Sequence, residues 1–286
     1  MEDIYVYEGT NVLKNKRGIR NNEDLDQFEN AMTSLAIINI NRSFKFNDLN
    51  DIYEIHKVLF ENVYDWAGEI RKINIYKEEP ILAGLSVQYE DYNKIKRSIT
   101  NLNKKFLNTK WEELSKTEIV DNIVIFFSSL WQIHPFREGN TRSVATLMFL
   151  FIRNMNLKLN QDFIKEHAKY FRNALVLASI GEYSEYEHIT DFLKDAILYK
   201  TIDSAKYKTI KNYEVDKYQY NYHNYKKDWR LNKRTNLLMM NIWNQITNIQ
   251  FKSTKEKHMI NQQSRLQISS LVILPILLIL NLKVML

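Results

Sequence analysis

Between positions 24 and 39 apolar side chains return at Leu25, Phe28, Met32, Leu35 and Ile38, the three-and-four spacing of a helix with one inward stripe. Asp48 stands where it can cap a second helix, with Leu49, Ile52, Ile55, Leu59 and Phe60 turned inward. Ser115 and Glu118 have the spacing of a capping box, and Leu114 can staple to Ile119, which predicts a helix start there. That helix continues through Ile123, Phe126, Phe127 and Leu130 towards Ile133, and it is apolar enough to be central. Another is predicted from Asn140–Thr141 through Val144, Leu147, Met148 and Phe151 to about Asn154, with further helices over residues 162–179 and 186–204. Residues 70–85 break the pattern. Ile70, Lys72, Ile73, Asn74, Ile75 and Tyr76 alternate before Pro80 and Gly84, the signature of a short β-hairpin. A lone hairpin needs a surface to lie on, so this one is expected across the helices, as a flap that could hold a ligand or peptide.

Composition supports a mainly α fold. Six Gly and three Pro in 286 residues are too few for the tight turns of a sandwich or barrel, while 45% hydrophobic and 13% aromatic residues suffice for a core. No cysteine is present, which excludes disulfides and thiolate metal sites. Residues 1–22 hold no apolar run of the signal-peptide kind. The net charge of +6 is unevenly placed, with 15 basic against 5 acidic residues from Lys200 onward. In that stretch tyrosines and bases interleave, a texture that suits either an extension packed on the main domain or a nucleic-acid or membrane surface. The apolar run 271–280 carries Pro275 and is too short to span a bilayer, so a buried element is expected there and a membrane is not.

The chemistry concentrates in HPFREGNTRS, residues 134–143. His134 ends an apolar helix just before Pro135, where its imidazole can face a cleft as a general base. Gly139, Asn140, Thr141 and Arg142 open the next helix, and a helix N-terminus offers free N–H groups to phosphate. Arg142 opposes the dipole preference of a first helical turn but suits a cation on a bound polyphosphate. Glu138 is a hard oxygen ligand of the kind Mg²⁺ takes beside phosphates. Singly, each residue has an ordinary structural use; together they describe a phosphoryl- or nucleotidyl-transfer site.

These residues resemble the Fic (Fido) family motif HxFx[DE]GNGRxxR, matched at His134, Phe136, Glu138, Gly139, Asn140 and Arg142. Residues 56–77 resemble the family's approach to its flap, residues 170–179 its closing helix, and residues 5–19 the opening of its toxin and effector members. The resemblance implies a Fic-type helical bundle with a short β-hairpin flap. Residues 1–47 would form the N-terminal helical segment of the core and 48–200 the Fido domain, followed by the basic Tyr-rich extension 201–265 and the apolar tail 266–286. It implies that ATP and Mg²⁺ are held by the HPFREGNTR loop, Arg137 included, with Glu138 on the metal. Gly139, Asn140 and Thr141 would lie at the anion hole and Arg142 on the β-phosphate. His134 would deprotonate a Ser, Thr or Tyr of a target protein as it attacks the α-phosphate, leaving AMP on the target. Ile75, Tyr76 and Lys77 would form a flap strand that aligns the target by main-chain pairing.

Thr141 stands where the motif has its second Gly, and Ala145 where it has its last Arg. Both positions govern how a nucleotide lies. Doc toxins, which replace the same Gly, phosphorylate, and other members transfer UMP or phosphocholine. The alternatives to AMP transfer are therefore a different transferred group or a degenerate Fic-fold binding protein. The family's inhibitory [ST]xxxE[GN] pattern has no convincing copy, because Thr109–Glu113 is followed by Leu114. A separate small antitoxin is expected instead. The resemblance points to a cytoplasmic protein or secreted effector, and its family's targets include topoisomerases and GTPases.

Overall fold

The computed structural model describes residues 3–198 and 202–210, all in the first of two compact units, whose boundary follows Gln219. The apolar tail, and the extension past residue 210, lie outside the described residues. Eight α-helices carry the described fold: α1 Asn22–Ser43, α2 Asp51–Phe60, α3 Ile95–Leu107, α4 Lys116–Ile133, α5 Asn140–Asn154, α6 Gln161–Glu166, α7 Ala168–Leu177 and α8 Glu187–Leu198. None among the described residues is long and apolar enough to cross a membrane.

The organising element is α4. Its capping box forms as the spacing predicts, with Ser115 N–H donating to Glu118 Oε2 at 2.8 Å and Glu118 N–H to Ser115 Oγ at 3.3 Å. Ile119, Val120, Ile123, Val124, Phe127, Leu130 and Trp131 are buried around most of its circumference, which a helix tolerates only when neighbours surround it. Those neighbours are α3, α5, α7 and α8, while α2 packs on α5 and α1 on α2. Phe46, Phe106, Trp111, Phe126 and Phe151 close one side with ring centroids 4.7–5.8 Å apart. Tyr207 is buried against Phe163, Tyr170 and Phe192.

Four local expectations are corrected. First, α1 does not bury the Phe28–Met32–Leu35–Ile38 stripe. It buries Leu25, Glu29, Thr33, Ala36 and Ile40, while Leu35 and Ile38 are 59% and 47% exposed. The helix is rotated because Glu29 and Thr33 have polar partners inside, described below. Second, residues 70–85 form no paired hairpin: the one β-bridge among the described residues joins Val6 and Leu13. The two arms of the flap, separated by a 3-10 turn at Pro80–Leu82, are closed at that turn by two backbone bonds, Glu79 N–H to the Leu85 carbonyl and Gly84 N–H to the Glu79 carbonyl, both 3.0 Å, and beyond it are tied through side chains. Lys77 N–H donates to Ser86 Oγ, Tyr76 OH to the Gly84 carbonyl and Tyr92 N–H to Asn74 Oδ1. Third, Asp48 receives the Asn50 N–H at 2.7 Å but does not cap α2, which begins at Asp51. Fourth, the helix expected over 162–179 is two, α6 and α7, meeting at His167, whose φ −110 and ψ 27 are not helical. The sequence pattern also omitted α3, whose inward positions Ile95, Ile99 and Phe106 are completed by a buried Asn103. Asn103 Oδ1 accepts the Leu49 N–H at 2.9 Å, so the polar residue is satisfied where an apolar one would fit the period.

Candidate active site

His134 caps the C-terminus of α4 in the left-handed region, φ 52 and ψ 63. A non-glycine residue there is strained, and such strain persists only where the surroundings over-determine it. Those surroundings are specific. The buried Arg71 guanidinium donates to the His134 carbonyl at 2.8 Å and to the carbonyls of Ile73 and Glu90, so it joins the flap base to the catalytic segment. The Tyr89 ring stacks on the imidazole at 3.9 Å between centroids. His134 Nδ1 lies 3.1 Å from the Trp131 carbonyl, which can only accept, so Nδ1 carries the proton. Nε2 is then the unprotonated nitrogen, and it is buried with no protein partner. Burial above all, then the Lys77 charge, pushes the imidazole well below the usual histidine value, so it stays neutral at physiological pH.

The next five residues fold into a loop closed by Asn140. Its side chain accepts the Phe136 N–H at 2.9 Å and donates to the Phe136 carbonyl at 2.8 Å. Asn140 can therefore offer a ligand its backbone N–H rather than its amide side chain. Gly139 takes φ +80, and a Cβ there would stand 2.3 Å from the Phe60 ring, so only glycine fits. The backbone N–H groups of Asn140, Thr141 and Arg142, the first of α5, have no backbone acceptor among the described residues. These free donors lie where the sequence places an anion cradle.

Beneath the loop sits His56, which sequence reasoning missed as a site residue. Its ring stacks on Phe136 at 3.7 Å. It accepts the Gly68 N–H at Nδ1, 2.8 Å, which leaves Nε2–H to donate to the Glu138 carbonyl, 3.0 Å away. Burial holds its pKa down to about 3. Two buried neutral histidines set a sign for acid stability. Unfolded histidine titrates near pH 6.5, whereas the fold refuses these protons, so the unfolded chain binds more of them below that value. Stability is complete above pH 6.5 and declines as pH falls through it. A urea midpoint measured from pH 7.5 to 5.5, above most carboxylate titration, is expected to report a loss of about 2–3 kcal/mol. A flat midpoint would show that these residues are not held neutral.

Glu138 faces the flap. Its Oε2 receives Lys77 Nζ at 2.7 Å and its Oε1 the Gly139 N–H at 3.0 Å. Burial alone would raise the carboxyl, but the Lys77 charge and hydrogen bond, the Gly139 N–H and Arg142 outweigh it and hold it at about 2. Among the described residues no group of three or more His, Asp or Glu forms a metal cage. One carboxylate suits Mg²⁺ that arrives on phosphate oxygens and keeps its waters, provided Lys77 yields Oε2.

Arg142 reaches Glu29 of α1 in a close ion pair, donates to Thr33 Oγ1 at 3.3 Å and lies 4.9 Å over the Phe60 ring. The same Glu29 carboxylate takes the Tyr64 hydroxyl in another close bond. These contacts are why α1 buries polar residues. Arg137 pairs with Asp3 at 2.7–2.8 Å, and the two help line a cavity of about 220 Å³ with Ile75, Tyr76 and Tyr92. Of the three flap residues, Lys77 forms an ion pair with the motif, at Glu138; Tyr76 is 54% exposed. Thr141 Oγ1 receives the Trp131 indole N–H at 3.0 Å.

Residues 46–152 match the family model described as the Fic/DOC family. The chain is 25% identical over 138 residues to "Probable protein adenylyltransferase Fic" of Escherichia coli (strain K12), covering 48% of this chain and 66% of that one. It is 26% identical over 185 residues to protein adenylyltransferase VbhT of Bartonella schoenbuchensis, covering 63% of this chain and 36% of that one. The chain thus spans about two thirds of the first relative and about a third of the second. Among solved structures it resembles the N-terminal Fic domain of a VirB-translocated Bep effector from Bartonella quintana, with bound ADP. The TM-score is 0.54 and the identity 26%, over 67% of this chain and 93% of that one.

Proposed function

The chain belongs to the Fic/DOC family, and on that premise we propose that it transfers AMP from ATP to a Ser, Thr or Tyr hydroxyl of a target protein. The observation that carries the reading is His134 itself: Nδ1 is bound to a carbonyl, Nε2 is unpaired, and the free N–H groups of the α5 N-terminus follow six residues on. In this reading the target hydroxyl gives its proton to His134 Nε2 while its oxygen bonds to the α-phosphorus. The bond from the α-phosphorus to the bridging oxygen breaks, and pyrophosphate leaves with both electrons of that bond. The N–H groups of Asn140, Thr141 and Arg142 carry the charge of the phosphates, and most of the rate comes from positioning and neutralisation. Mg²⁺, when bound at Glu138, would supply further neutralisation of the phosphate oxygens. Lys77, displaced from Glu138, remains within reach of the same anionic group.

The names of the relatives, protein adenylyltransferase, and the ADP bound to the Bartonella quintana domain support the class of reaction and of nucleotide. The Thr141 and Ala145 departures favour one alternative, transfer of the γ-phosphate, and a single experiment divides the two. The purified chain is incubated with an acceptor protein extract and ATP labelled at the α- or the γ-phosphate. Label from the α position alone is expected; label from γ alone would make the chain a kinase, and label from neither would leave a nucleotide-binding module. Activity of the isolated chain is expected without removal of any segment, because we assign inhibition to a separate small antitoxin. The same reading puts the reaction in a cytoplasm, that of the producing cell or, for a secreted effector, that of a host.

A further inference from the structure

We propose that the Thr141 hydroxyl is a phosphate-contacting group that decides how the nucleotide is held, and that Trp131 aims it. The inference rests on the nucleotide reading above. The first observation is an imbalance of hydrogen bonds. Thr141 Oγ1 accepts the Trp131 indole N–H at 3.0 Å, so its own proton still needs an acceptor. Several hydroxyls in the helices of this protein give that proton to the carbonyl four residues back, although Ser143, in the same helix as Thr141, is buried with no partner among the described residues. Thr33, Ser34, Thr100 and Ser129 do so, to Glu29, Asn30, Lys96 and Ile125 at 2.7–2.9 Å. Thr141 does not, and among the described residues no protein atom receives its proton. It is half-buried at the second position of α5, between two residues whose backbone N–H groups also have no backbone acceptor. An acceptor at that point would be shared by a row of donors and by none of the protein's own oxygens, which selects an anionic oxygen.

The second observation is what stands behind the hydroxyl. Trp131 is 1% exposed, and among the described residues Thr141 is the one partner of its indole N–H. Glycine at 141 would leave that buried donor unpaired. The same tryptophan accepts the His134 Nδ1–H at its carbonyl and meets the His134 ring edge-on at 5.0 Å. One residue thus orients both the base and the hydroxyl. A phosphate oxygen that takes the Thr141 proton makes Oγ1 a better acceptor for Trp131, since hydrogen bonds in a chain polarise one another.

The test is calorimetric titration of the full chain with Mg-ATP, alongside the indole N–H resonance of Trp131. Thr141→Val should weaken binding roughly 10- to 100-fold, the range for losing a hydrogen bond to a charged group, and Thr141→Ser should stay within about threefold of the parent. In the parent and the Ser variant the Trp131 resonance should move on saturation. Trp131→Phe keeps the hydroxyl and removes only its aim, so it should weaken binding less than Thr141→Val. If Val does not fold, Thr141→Ala gives the same comparison. A Val or Ala variant that binds like the parent would overturn this inference and leave the nucleotide reading standing, as would equal losses in Trp131→Phe and Thr141→Val. Absence of binding by the parent chain would remove both.

Discussion

Replacing His134 is expected to lower transfer of α-labelled AMP by roughly 10²- to 10⁴-fold, the contribution of a positioned general base. The choice of replacement matters. His134 holds φ 52, a region that asparagine tolerates better than alanine. His134→Asn therefore separates the chemistry from the backbone strain. Its nucleotide affinity should remain within a few-fold of the parent, because the cradle is built from α5 N–H groups and not from the imidazole. The pH profile supplies a second readout. The neutral imidazole is the active form, and burial with the Lys77 charge moves its pKa well below the usual value. The acid limb of the rate should accordingly lie below pH 6.5 in the parent, not at it. An Asn variant that transfers AMP at the parent rate would remove His134 as the base. Loss of rate and binding together would make it a structural cap.

What the sequence could say about this site follows from distance along the chain. His134, Glu138, Gly139 and the start of α5 lie within one turn and one loop, so a short stretch of sequence places them side by side whatever the rest of the fold does. The same holds for α4, whose capping box is a three-residue signal. The partners that orient those residues come from far away: Arg71 is 63 residues from His134, His56 is 82 from Glu138 and Glu29 is 113 from Arg142. No periodicity encodes such pairs. Lys77 was placed in the flap for its backbone, whereas it is the ammonium that reaches the motif. Errors in the fold have the same origin. Periodicity assumes that inward means apolar, and Glu29, Thr33 and Asn103 are inward because they have buried polar partners. In the flap, alternation was read as pairing, yet Ser86 and Asn74 side chains occupy backbone groups that a ladder would have used.

Arg142→Ala is expected to lower AMP transfer by roughly 10²- to 10³-fold, as for loss of one preorganised charge-stabilising donor, and to destabilise the fold as well. Both effects come from one side chain with two obligations. The guanidinium neutralises Glu29, whose side chain is 7% exposed and which also carries the Tyr64 hydroxyl. Burial, reinforced by Glu29, keeps that phenol protonated, so it remains a donor and cannot replace the lost cation. Removing one partner of a buried pair costs about 3–5 kcal/mol. Arg142 is itself 29% exposed and water can reach it, so about 2 kcal/mol is the expected loss of stability. A second substitution separates the two obligations. Glu29→Gln beside Arg142→Ala removes the uncompensated charge and still accepts from Tyr64, so the double variant should regain most of its urea-unfolding stability. It should not regain transfer, because a neutral amide on α1 gives the phosphates no cation. Recovery of both would mean that Arg142 serves only as the counter-ion of Glu29, and the phosphates would then rest on the α5 N–H groups, Lys77 and Thr141 alone. In the nucleotide-free protein Glu29 already claims Arg142, so binding must redistribute that charge between a carboxylate and a phosphate. The single variant Glu29→Gln removes the opposing charge from the guanidinium, which keeps its contacts to Thr33 and Phe60, and ATP affinity should rise in it because that charge no longer competes with the phosphates.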